Sequence, residues 1–172
     1  MNTQRLALTL AFVLATPLAF AHGNEKHDAT AMAAGRDISE AKLSIAPAAT
    51  DAVAAVERFS SALSAGDLAK ATAELDPDVL ILESGGAENG RAEYLAGHAK
   101  SDAAFLKAAR ISLKARAAQA SGDLAWVASE SEIHAIKAEK MLMIDSTETM
   151  LVRKTAQGWK IVHIHWSSRA KR

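Results

Sequence analysis

Two histidines stand two residues apart near the end of the chain, in Gly158-Trp159-Lys160-Ile161-Val162-His163-Ile164-His165-Trp166-Ser167-Ser168. A strand alternates its faces, so His163 and His165 present two imidazoles to one surface together with Trp159, Ile161 and Ser167. Such a pair can chelate a metal, move a proton, or belong to a core or dimer network. A second constellation lies in Tyr94, His98 and Asp102. On a helix these fall within one stripe with Leu95, Phe105 and Leu106, so the polar members need partners inside the domain or a pocket to face. The i, i+4 spacing of His98 and Asp102 allows a direct bond. Three readings stay open for them: a buried structural network, an acid–base pair, and metal ligation. Glu83 shares a strand face with Val79 and Ile81, which makes an inward carboxylate plausible.

A further set of metal-ligand types lies upstream. Residues 1–21 read as a secretory signal, with Arg5 in a short basic region, an apolar run from Leu6 to Leu18, and Ala19-Phe20-Ala21 as the cleavage pattern. The apolar run is shorter than a bilayer span, which wants about 20 residues. Cleavage would expose His22, whose α-amine and imidazole can hold copper or zinc, with His27 nearby. Met141, Met143 and Met150 are soft ligands for Cu(I), although methionine on strands also fills cores. The metal set expected on this reading is His22, His27, His98, His163 and His165. These residues imply an exported, periplasmic protein.

Without the signal the chain carries 19 basic and 20 acidic residues, a formal net charge of −1. That balance gives no electrostatic case for nucleic acid or an anionic membrane, and no stable span is expected after cleavage. With no cysteine there is neither a disulfide nor a thiolate site, so the fold depends on core packing.

The elements that must position these residues follow from the periodicity. Residues 22–49 are Ala-rich with few large apolar side chains and read as a flexible leader. Thr50 caps a helix in which Val53, Val56, Phe59 and Leu63 repeat, and Gly66 stops it. Asp67 caps a second helix through Leu75, ended by Asp76-Pro77. Val79–Glu83 reads as a strand, Ser84-Gly85-Gly86 as a turn, and a third helix runs from about Asn89 to Ala108. The period then switches to 2 in Ile111–Ala120, Leu124–Ile136, Met141–Thr155 and Trp159–Ser168, joined by hairpin junctions. Glu130, Glu132 and His134 share a face with Trp126 and mark sheet emerging into solvent. The expected class is α+β, with three N-terminal helices packed on an antiparallel sheet over residues 50–168, followed by a basic tail at 169–172.

This order, with the Gly158 to Ser167 ending, resembles the nuclear transport factor 2-like superfamily. Ser146-Thr147-Glu148-Thr149 with Val162-His163-Ile164-His165 looks like its SnoaL-like and calcium/calmodulin-dependent protein kinase II association-domain branch. That association domain follows its acidic-Thr pair with a pocket-lining arginine, and Met150 stands there in this chain. The resemblance implies a strongly curved, cone-shaped fold with a small-molecule pocket between sheet and helices, and a homodimer through the outer sheet face. The expected ligand-binding residues are Glu83, Tyr94, His98, Asp102, His163 and His165. The function expected is ligand binding without established catalysis. One alternative is an acid–base enzyme of the SnoaL or ketosteroid isomerase kind using His98, Asp102 and Tyr94. The other is a periplasmic protein for copper or another divalent metal.

Overall fold

The computed structural model describes residues 34–137 and 140–171. The described residues build a sheet of eight strands with helices on its concave side. The strands are β1 (Gly35–Asp37), β2 (Lys42–Ile45), β3 (Leu75–Glu83), β4 (Gly86–Asn89), β5 (Arg110–Ser121), β6 (Leu124–Lys137), β7 (Lys140–Thr155) and β8 (Gly158–Ala170). The helices are α1 (Thr50–Ala65), α2 (Leu68–Ala73), α3 (Arg91–Ala96) and α4 (Ala99–Lys107). Among the described residues no helix is long and apolar enough to cross a membrane.

The inner stripe of α1, its Gly66 stop and the Asp67 cap act where expected. Val56, Phe59 and Leu63 bury the inner stripe of α1, and Gly66 ends it in the left-handed region at φ 79°, a conformation that costs glycine little. The Asp67 carboxylate accepts from the Lys70 amide at 3.0 Å and so caps α2. Thr50 does not cap: its hydroxyl turns back to the Pro47 carbonyl at 2.9 Å. The third helix is broken. Gly97 interrupts it at φ −103°, ψ −107°, giving α3 and α4 in place of one helix. Asp76-Pro77 falls inside β3, which begins at Leu75.

The sheet runs β1-β5-β6-β7-β8-β3-β4, with β2 also paired to β5. The meander β5–β8 is antiparallel as expected. β3 joins β8 in parallel, and β1 and β2 run parallel to β5, so the sheet is mixed rather than wholly antiparallel. The expectation of a flexible leader through residue 49 therefore fails from residue 35 onward. Residues 35–45 supply two short strands, because β5 presents an otherwise unpaired edge whose backbone groups need partners.

Two bulges decide which side chains face inward. In β5 the register shifts between Leu113 and Ala115, leaving Lys114 as the extra residue. Ile111 and Leu113 point into the core before it, Arg116 and Ala118 after it. In β8 the shift falls at Val162, between the pairs Val152↔Ile161 and Leu151↔His163. Trp159 and Ile161 are buried before it and Ile164 after it. A one-residue slip exchanges the two faces, so His163 and His165 lie on the outer face and do not share a side with Trp159 and Ile161.

Candidate functional site

A cavity of about 150 Å³ opens between α1, α4 and the concave sheet face. Its apolar wall comes from Phe59 and Leu63 of α1, Phe105 and Leu106 of α4, and Ile111, Ile133 and Ile144 of the sheet. Its polar lining includes Glu83, Asp102, Arg36, Arg116, Ser129 and Glu148.

Trp166 ties these elements together. Its ring stacks on Phe59 at a centroid distance of 6.3 Å and tilts against Tyr94 at 6.3 Å. Its indole N–H donates to Glu148 Oε2 at 2.8 Å. Ser129 donates to Glu148 Oε1 at 3.3 Å and accepts from Arg116 Nε at 3.1 Å. Arg116 Nη1 pairs with Glu57 of α1. Arg116 itself is only 3% exposed, and its Nη2 is buried with no hydrogen-bond partner among the described residues. Burial depresses the basicity of Arg116 and Arg36, and the Glu148 carboxylate opposes that shift in both; as guanidinium groups they stay cationic.

A second polar group borders the same cavity. Tyr94, 1% exposed, donates to Asp102 Oδ2 at 3.0 Å across the α3–α4 break. Burial raises the Asp102 carboxyl, while the Tyr94 hydrogen bond and nearby His98 pull it down. Glu83 is raised by burial and then by the Asp102 charge. Tyr94 is pushed far up by burial and by Asp102, so it acts as a hydrogen-bond donor at any ordinary pH.

The expected His98–Asp102 bond does not form. Gly97 breaks the helix, His98 turns outward with its side chain 67% exposed, and its Nδ1 meets Glu88 Oε1 at 2.6 Å. Glu88 accordingly raises the His98 pKa by hydrogen bond and by charge. His163 Nδ1 meets the Leu80 carbonyl at 2.9 Å on the outer face, and His165 is exposed there. Of the six expected ligand-binding residues, Glu83 and Asp102 line the cavity. Tyr94 supports Asp102 from behind. His98, His163 and His165 are not among the lining residues. Among the described residues no three His, Asp or Glu side chains are grouped to hold a metal. His22 and His27 lie outside the described residues. Arg36, Arg116, Ser129 and Glu148 were not singled out as site residues in the sequence.

The two raised carboxyls imply a signed pH dependence. A carboxyl whose folded pKa is raised favours the folded state below its unfolded pKa and loses that contribution as pH rises through the folded value. Replacing both groups by neutral isosteres in Glu83→Gln/Asp102→Asn should therefore leave stability near wild type at about pH 4 and make the variant the more stable one toward about pH 7. Urea midpoints measured across that range check it; a constant difference would mean that the pair titrates as it does unfolded.

Together the cone of helices over a curved sheet and the cavity between them define a nuclear transport factor 2-like domain. Residues 52–171 match the SnoaL-like domain model, and the chain belongs to that family. It is similar to a candidate ketosteroid isomerase from Shewanella frigidimarina at 33% identity, covering 72% of this chain and 99% of that one with TM-score 0.65. The S. rosetta CaMKII hub matches at 24% identity over 72% and 98% of the two chains, TM-score 0.64. A candidate dehydratase of the NTF2-like family from Streptomyces avermitilis matches at 20% over 69% and 93%, TM-score 0.59. No functionally curated protein matches the chain.

Proposed function

We propose that this is an exported SnoaL-like protein that binds a small molecule in the cavity between its helices and the concave sheet face. The observation that carries the reading is the cavity itself, a partly open cleft whose apolar wall faces a converging set of polar and charged groups. A volume of about 150 Å³ accommodates a benzene-sized body rather than a four-ring one. Export rests on residues 1–21 of the sequence. A homodimer through the outer face is supported by the row Trp126, Leu151, His163 and Leu80, which lie opposite one another on β6, β7, β8 and β3. Its three apolar members are each about a third exposed.

The expected result is that a library of compounds of that size raises Tm by about 5 °C or more for some members at saturating concentration. Leu106→Trp, which narrows the cavity, should abolish the shift while the sedimentation of the dimer stays unchanged. Failure of every compound, or shifts that survive Leu106→Trp, would refute the cavity as the binding site.

The acid–base reading has one observation in its favour, the cavity-facing pair Asp102 and Glu83 with carboxyls raised toward the range where a general base or acid works. In that reading Asp102 accepts the proton and Tyr94 orients it, with His98 outside the chemistry. Solvent-deuterium incorporation into a bound compound, lost in Asp102→Asn while binding persists, would establish it.

A further inference from the structure

Two guanidinium groups line the cavity, and one of them comes from outside the SnoaL-like domain. Arg116 places two of its three nitrogens on Ser129 and Glu57 and leaves Nη2 buried without an acceptor. A buried charged donor without an acceptor is costly. Arg36 belongs to β1, ahead of the family domain that begins at residue 52. Parallel pairing sets Arg36 beside Ile111, and both residues line the cavity. Among the described residues the Arg36 side chain makes no hydrogen bond or ion pair. The neighbouring carboxylate, Glu148, already accepts on both oxygens, from Ser129 and from Trp166.

We propose that Arg36 and Arg116 form a seat for the carboxylate of a small monocarboxylate ligand whose apolar body lies against Phe59, Phe105 and Leu106. This rests on the ligand-binding reading of the cavity. A carboxylate in the cavity matches the planar fork of the Arg36 guanidinium and brings a negative charge close to Arg116, whose own Nη2 is sealed from solvent. Glu57 and Glu148 already offset the two cations locally, and Glu83 and Asp102 border the same space. A ligand with a single negative charge therefore suits the site better than a dianion such as a phosphate monoester. The 150 Å³ volume limits the body to one ring or a short branched chain. Arg36 selects the ligand because it is the half of the seat that the domain does not supply.

Calorimetric titration of the full mature chain with benzoate and with its neutral isostere benzamide tests this. Benzoate should bind roughly tenfold to a hundredfold more tightly, the range expected for hydrogen bonds to a charged group. Arg36→Ala should remove most of that preference by weakening benzoate far more than benzamide, and Arg36→Lys should restore it only in part, because an ammonium keeps the charge and loses the fork. Arg36 lies on a peripheral three-residue strand, so the variant is expected to fold, which its Tm verifies. Equal binding of benzoate and benzamide, or a benzoate preference untouched by Arg36→Ala, overturns the carboxylate seat while the cavity reading stands. Binding of neither compound, nor of toluene, overturns the cavity reading and the seat with it.

Discussion

Glu148→Leu is expected to destabilise the protein by about 3 kcal/mol or more, the range found when a buried charge network loses one partner. The carboxylate accepts the Trp166 indole N–H and the Ser129 hydroxyl, and it is the charge that offsets burial of both Arg36 and Arg116. Leucine fills similar space but leaves the indole N–H without an acceptor and the guanidinium groups with less compensation. Glu148→Gln keeps an acceptor for Trp166 and loses only the charge, so it should cost about half as much. Adding Arg116→Met to Glu148→Leu should recover part of the loss, because a buried ionic cluster replaced as a unit by apolar side chains can be close to neutral. Urea unfolding at constant m gives all of these values. A loss below about 0.5 kcal/mol for Glu148→Leu would place Glu148 among ordinary surface residues.

The same network explains what the sequence could and could not disclose. The α1 stripe, the Gly66 stop, the Asp67 cap and the order of β5 to β8 were legible, since each depends on neighbours within a few residues. Glu83 lines the cavity because β3 keeps its alternation from Val79 to Glu83. Arg116 was hidden by the bulge at Lys114. Counted without it, Arg116 alternates outward from Ile111 and Leu113 and reads as a solvated arginine. The bulge at Val162 misled in the opposite direction, turning His163 and His165 toward the outer face. A bulge depends on how two strands meet, and neither strand carries a strong local sign of it.

Arg36 was out of reach for a related reason. Residues 35–45 have too few large apolar side chains to signal strands by their own pattern. They become strands because β5, far along the chain, offers them a backbone edge. The helix containing His98 failed at one residue: Gly97 breaks it, so Asp102 finds Tyr94 eight positions back instead of His98 four positions back. The polar groups assigned to the third helix did need partners, as burial physics required, but the break changed which ones they found.

That exchange of partners decides what Tyr94 does, and two substitutions separate its roles. Tyr94→Ala should cost about 4 kcal/mol, typical of emptying a buried aromatic site, because the ring is fully buried in the main core and tilts against Trp166. Tyr94→Phe keeps the ring and removes only the hydroxyl, so it should cost about 1 kcal/mol. Its larger effect falls on Asp102. The Tyr94 hydrogen bond lowers the Asp102 pKa against the upward pull of burial, so its loss should move the Asp102 titration further up. Carboxyl carbon shifts followed by NMR across the acidic range read that movement directly. A Tyr94→Phe variant in which Asp102 titrates as in the parent would leave Tyr94 with packing alone. An upward movement makes it a residue that holds the Asp102 pKa down against burial, the direction that favours Asp102 as a proton acceptor.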